Sequence, residues 1–213
     1  MICGMHRAPH FLAFQGSPRK ENSHTYRLLR ETLRGIQDAG GTYRLIHLID
    51  LPIHPCLGCY SEDPPSCNPQ HCTEGQLADA MRGIHQSLLA SDGFVLATPV
   101  YWFGASGWVK NFLDRLTSLE NAGKLLEGKI AGLLACAEEA GAAHTLMHLM
   151  AVLNDMGLLI PPYSMVYHVG RDPVEADPEA LAYAYRLGWN MVRLYRLAGN
   201  RAWWPVGSEG NEV

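Results

Sequence analysis

The chain has no run of basic residues, no apolar stretch long enough to cross a bilayer and no internal repeat. Each absence removes a class of function. Lys and Arg number 17 against 21 Asp and Glu, a formal net charge of −4, so nucleic acid and anionic membranes are not expected as partners. The first fourteen residues lack an extended apolar core, so neither a signal peptide nor a membrane span is expected and the compartment is read as cytoplasmic. There is no GxSxG nucleophile elbow, which argues against an α/β-hydrolase. His144 and His148 lie four apart without the carboxylate of an HExxH motif, so a polar helix face accounts for them. In a reducing compartment the six cysteines read as thiols, metal ligands or redox groups rather than disulfides.

What is present is a regular alternation of strands and helices. With 213 residues and 47% hydrophobic content, one globular domain over residues 1–206 is expected, carrying a Cys-rich loop at 53–72 and a mobile polar tail at 207–213. Apolar runs at 11–14, 43–48, 94–97, 130–136 and 158–160 read as strands. Between them, stripes such as Leu29/Leu33/Ile36, Val109/Phe112/Leu113/Leu116 and Leu146/Leu149/Leu153 read as helices. Gly40 and Gly157 mark helix stops, and Thr73 with Gln76 has the spacing of a capping box ahead of Leu77, Met81, Ile84 and Leu88. Asp177-Pro178 opens a final helix reaching about residue 199. Five strands alternating with five helices imply an α/β fold with a doubly wound parallel sheet and helices on both faces. A ligand then belongs at the carboxyl ends of the strands, near the switch in strand order.

Three segments fall at that edge, and a cysteine-rich loop is a further candidate site. Residues 16–25, GSPRKENSHT, follow the first strand and open a helix. Ser17, Ser23 and Thr25 offer hydroxyls and Arg19 a charge-assisted fork, while helix amides complete an anion cradle. No Gly-Lys-Ser/Thr closes the turn and only Gly16 of the dinucleotide glycines is present, so a mononucleotide such as FMN fits better than a P-loop or Rossmann ligand. For any one hydroxyl taken alone, an ordinary helix cap is the alternative. Residues 98–104, TPVYWFG, place Pro99, Val100, Tyr101, Trp102, Phe103 and Gly104 just past the third strand. Pro99 is expected to turn the chain out of the sheet, leaving backbone donors beside flat rings that suit an isoalloxazine, or an interface. Ala137-Glu138-Glu139 follows the fourth strand and can border the ring; the acids also suit an early helix turn. The loop from 53 to 72 gathers Cys56, Cys59, Cys67 and Cys72, four thiols able to chelate one ion or cluster. Cys136 reads as a core thiol, and Asp114-Arg115 as a salt bridge, a subunit contact or a solvated face.

Taken in order, Gly16-Ser17-Pro18-Arg19-Lys20, Cys56-Leu57-Gly58-Cys59, Thr98-Pro99-Val100-Tyr101-Trp102 and 109–115 (VKNFLDR) resemble the NADPH-dependent FMN reductase family, in particular its iron–sulfur flavoprotein branch. The resemblance spans roughly residues 9 to 160. It implies a flavodoxin-like sheet of order 2-1-3-4-5, FMN as cofactor, NAD(P)H as co-substrate, and a homodimer or homotetramer. It implies hydride transfer to the flavin and delivery to a small-molecule or redox-protein electron acceptor. Phosphate contacts fall on Ser17, Arg19, Ser23 and Thr25, with Asn22 and His24 in the same turn, and ring contacts on 99–104 and Ala137. The branch typically carries a compact CxxCxxC and a fourth cysteine; here Glu62-Asp63-Pro64-Pro65-Ser66 is inserted before Cys67. A 4Fe–4S cluster, a four-cysteine zinc site and free thiols all remain open for this loop. So do two other functions: an iron–sulfur electron carrier without NAD(P)H activity, and a non-enzymatic flavodoxin-like module with structural zinc.

Overall fold

The structure, a computed structural model, describes residues 7–75 and 78–198. Its strands are β1 (His10–Gln15), β2 (Thr42–His47), β3 (Gly93–Tyr101), the two-residue β4 (Gly104–Ala105), β5 (Ile130–Ala137) and β6 (Met165–Val169). Five of them run parallel in the order β2-β1-β3-β5-β6, while β4 folds back antiparallel on the end of β3. With β4 set aside, this is the 2-1-3-4-5 order of a flavodoxin-like sheet. The expectation for fold class and strand order holds.

Burial follows position in the sheet. β1 and β5 are apolar on both faces because both are covered, whereas the edge strands β2 and β6 alternate. The helices are α1 (His24–Asp38), α2 (Cys59–Glu62), α3 (Pro69–Cys72), α4 (Met81–Ala90), α5 (Gly107–Arg115), α6 (Thr117–Asn121), α7 (Ala142–Asp155) and α8 (Pro178–Ala198). Leu12, Phe14, Leu96 and Leu133 pack toward α4, α5 and α7, while Phe11, Ala13, Val95 and Leu134 pack toward α1 and α8. α1 and α8 cross at glycines. A Cβ on Gly35 would lie 2.1 Å from the Tyr185 carbonyl oxygen, and one on Gly188 would lie 1.9 Å from that of Thr32. That close crossing seats α1 firmly, and its N-terminus is where the anion turn ends.

Several local expectations are corrected. Pro99 does not leave the sheet: it stays in register with Cys136, and β3 runs on to Tyr101. Pairing with β1 stops at Ala97, so β3 is an edge on that side and Pro99 withholds no ladder donor there. Residues 158–160 form only a bridge, Leu159 to Ile130, before Pro161-Pro162 stops them. The fifth parallel strand is β6, whose edge alternation with outward Met165, Tyr167 and Val169 hid it from a search for continuous apolar runs. The proposed capping box does not start α4. Thr73 Oγ1 donates back to the Pro69 carbonyl at 2.9 Å, and Asp79 Oδ1 instead accepts from the Met81 amide at 2.8 Å. Gln76, Leu77 and the expected tail at 207–213 lie outside the described residues. Asp177 does cap α8, accepting from the Ala180 amide at 3.0 Å.

Candidate functional site

The turn after β1 is held by hydrogen bonds within the protein itself. Gly16 N–H donates to the Ala97 carbonyl at 2.8 Å, and Ser106 Oγ donates to the Gly16 carbonyl at 2.8 Å. A Cβ on Gly16 would meet Val109 Cγ2 at 2.3 Å, so only glycine lets β1 lie this close to α5. Gln15, fully buried, then shapes the loop from below. Its Oε1 accepts from the Ser17 amide at 3.1 Å, and its Nε2 donates to Ser23 Oγ at 3.0 Å. Ser23 is the helix cap: its hydroxyl also accepts from the Tyr26 amide at 3.1 Å and donates to the Lys20 carbonyl at 2.7 Å. The capping alternative therefore describes the Ser23 hydroxyl, which is committed to the protein. Gln15 carries no motif, and sequence reasoning missed its role.

The segment after β3 is a tight hairpin. Trp102 and Phe103 have φ of 48° and 63°, the left-handed pair that a two-residue turn with a β-ribbon twist requires. Asn and Gly normally fill those positions, and bulky rings there cost roughly 1 kcal/mol each or more. The rings are nevertheless turned outward, with Trp102 95% and Phe103 63% exposed. The hairpin is held at its base, where Thr98 Oγ1 accepts from the Ser106 amide at 3.0 Å, and at its tip, where Thr145 Oγ1 donates to the Phe103 carbonyl at 3.2 Å.

Between turn and hairpin lies a cavity of about 1060 Å³. Of the residues expected at a cofactor site, Ser17, Arg19, Ser23, His24, Thr25, Pro99, Val100, Tyr101, Trp102, Phe103 and Ala137 line it. Asn22 and Gly104 do not: Asn22 ends a 3-10 turn on the exposed side, and Gly104 pairs with Tyr101 in the hairpin. Cys136, Glu138, Glu139, Ala140, His168, Gly170 and Arg171 complete the wall. The last three come with β6 and the turn after it, which sequence reasoning misplaced. Cys136 is both buried and a wall residue, its thiol pushed up to about 12 by burial.

The end of the cavity beside the turn after β1 carries a histidine pair. His24 Nδ1 accepts from the Val174 amide at 3.1 Å, which fixes the neutral ring as the tautomer protonated on Nε2. Burial, followed by the His168 and Arg27 charges, holds His24 below its ordinary range. The His168 ring lies 5.7 Å away, with Nδ1 2.9 Å from Asp177 Oδ2 and Nε2 3.2 Å from the Asp172 carbonyl oxygen. The Ala180 amide and then His168 hold the Asp177 carboxyl low.

The cysteine loop is arranged differently. Cys56 is exposed, Cys59 half-buried, and Cys67 and Cys72 buried. Burial, and then the neighbouring Cys72, Cys56 and Cys59, push the Cys67 thiol up. Cys72 Sγ accepts a hydrogen bond from Arg115 Nε at 3.1 Å. Among the described residues no three His, Cys, Asp or Glu side chains are gathered closely enough to hold a metal ion. In this arrangement the four thiols do not fit a cluster or a zinc ion. Arg115 is neither a surface nor a subunit residue: its side chain is fully buried, paired with Asp79 at 2.7 Å. Asp114 separately pairs with Lys110 on the exposed side of α5.

Residues 9–170 match the profile of a family described as NADPH-dependent FMN reductase. An iron–sulfur flavoprotein of Methanocaldococcus jannaschii is 30% identical over 155 residues, covering 68% of this chain and 75% of that protein. RosB, solved with the bound intermediate 8-demethyl-8-formylriboflavin-5′-phosphate, superposes with a TM-score of 0.73 at 20% identity, over 89% of this chain and 80% of that one. The NAD(P)H:quinone oxidoreductase of Methanothermobacter marburgensis superposes with a TM-score of 0.64 at 16% identity, over 86% and 97%. No helix among the described residues is long and apolar enough to cross a membrane.

Proposed function

The chain belongs to the NADPH-dependent FMN reductase family, and we propose that its cavity holds FMN that NAD(P)H reduces and a small acceptor reoxidises. The observation carrying this reading is that one cavity joins an anion turn at one end to an aromatic hairpin at the other. When bound, the flavin would supply the redox chemistry between a nicotinamide donor and a quinone, another flavin or a similar acceptor. The chain's own residues supply placement and electrostatics. Ser17, Thr25, Arg19 and the Nε2–H of His24 suit the phosphate, backed by the first amides of α1. Pro99, Val100 and the hairpin residues that line the cavity give an apolar edge for a planar ligand. No side chain is required as an acid or a base.

The test is the absorption spectrum of the purified protein, with and without added FMN, followed by anaerobic NADH or NADPH. A flavin band near roughly 450 nm that bleaches with nicotinamide is the expected result. A colourless protein that takes up no FMN would overturn the reading. The name of the Methanocaldococcus jannaschii relative favours a second reading, an electron carrier, and bound flavin that does not bleach with either nicotinamide would select it.

A further inference from the structure

Arg171 stands on the turn between β6 and α8, at the mouth of the cavity. That turn is held from both sides. Gly170 N–H donates to the Ala137 carbonyl at 2.9 Å, and the buried His168 ring contacts the Asp172 carbonyl oxygen at 3.2 Å. Arg171 is therefore carried on fixed backbone over the site, although its side chain reaches into solvent. Its Nε lies 3.5 Å from Glu138 Oε2, and its guanidinium also approaches Glu139 at 3.7 Å. The other oxygen of Glu138 lies 4.0 Å from the Arg19 guanidinium. One carboxylate on the cavity wall thus sits between two arginines that arrive from opposite ends of the chain.

Two guanidinium groups spaced to share one anion suit a phosphate better than a single carboxylate, because a phosphate dianion offers more charge and three acceptor oxygens. We propose that Arg171 is a second phosphate-binding arginine for the flavin, and that Glu138 is the internal anion which the phosphate displaces from between Arg19 and Arg171. The inference rests on the reading that this cavity binds FMN. It adds a ligand from outside the turn after β1, and an acid that opposes binding rather than assisting it.

Titration of the apoprotein with FMN and with riboflavin, followed by flavin fluorescence at low and high salt, tests it. Arg171→Ala should weaken FMN binding by about tenfold at low salt while leaving riboflavin binding unchanged, since riboflavin has no phosphate. Glu138→Gln should tighten FMN binding by roughly three- to tenfold, again without effect on riboflavin. Both effects should shrink as salt rises. Wild-type-like FMN affinity in Arg171→Ala, in a protein that binds FMN, overturns this inference alone. The same holds if the variant changes only the KM for NADPH, which would assign the arginine to the nicotinamide's phosphates. Failure of the wild-type protein to take up FMN at all overturns the inference together with the reading beneath it.

Discussion

Replacing Arg115 by Met should be among the most damaging single changes outside the cavity. The guanidinium is fully buried and donates to Asp79 Oδ2 at 2.7 Å, to the His54 carbonyl at 3.0 Å and to Cys72 Sγ at 3.1 Å, as well as to the Cys72 carbonyl. It ties both ends of the cysteine loop to the last residue of α5. Asp79 is equally buried; burial works against its charge, and the His54 amide, Arg115 and the Met81 amide together more than offset this and hold its carboxyl low. Met fills similar volume but leaves that carboxylate without its cation, a loss of about 3–5 kcal/mol. The double change Arg115→Met with Asp79→Asn removes the stranded charge and keeps an acceptor for one of the two amides that Asp79 serves, so it should recover at least about 1 kcal/mol of that loss. Urea denaturation at pH 7, followed by far-UV circular dichroism, measures both. The pH dependence adds a sign. Without Arg115 the Asp79 carboxyl loses one of the groups that hold it low and its pKa rises, so the penalty is largest at neutral pH and shrinks as the pH falls toward about 4. A single-variant loss below about 1 kcal/mol, or a penalty that does not shrink at low pH, would refute the account of Arg115 as the buried partner of an ionised Asp79.

Three further outcomes are expected. Gly16→Ala places a methyl group against Val109 at 2.3 Å and should cost about 1–3 kcal/mol in denaturant unfolding while weakening flavin uptake, because the anion turn hangs from that residue. Trp102→Asn combined with Phe103→Gly relieves two left-handed bulky residues, φ 48° and 63°, and should raise stability by about 1–2 kcal/mol. The same change should loosen flavin binding, so a melting curve and an FMN titration should move in opposite directions. His85 is held down to about 4, mainly by burial, against an ordinary value of 6.5. The unfolded chain then binds more protons between those values, so stability should fall as pH drops from about 6.5 to about 4, by roughly 3 kcal/mol, and His85→Leu should flatten that slope in urea melts.

Much of this was legible in the sequence because the physics is local there. The apolar runs of β1, β3 and β5 are continuous since both faces of the sheet are covered, and continuity is visible in one dimension. The anion turn and the aromatic segment are contiguous motifs at the ends of such strands, so their convergence on one cavity follows from topology. What could not be read depends on partners far away in the chain. β6 is an edge strand exposed at every other position, and without it His168, Gly170 and Arg171 could not be assigned to the site. Pro99 reads as a strand terminator until the departure of β1 makes its missing donor harmless. Arg115, in a sequence of helix-surface character, is buried only because Asp79 and Cys72 arrive from a different loop.

That burial has a consequence for the order in which the chain folds. The hydrogen bonds that tie Asp79, Cys72 and His54 to α5 join residues 36, 43 and 61 positions apart, and each of them ends on Arg115. They cannot form until β3 has entered the sheet and α5 has docked behind it, so loop closure must wait for contacts made much later in the chain. Cys67 and Cys72 should therefore stay open to alkylating reagents through the early part of refolding and become protected only as α5 settles. A pulse of thiol label during refolding would thus time the docking of a helix that contains no cysteine itself.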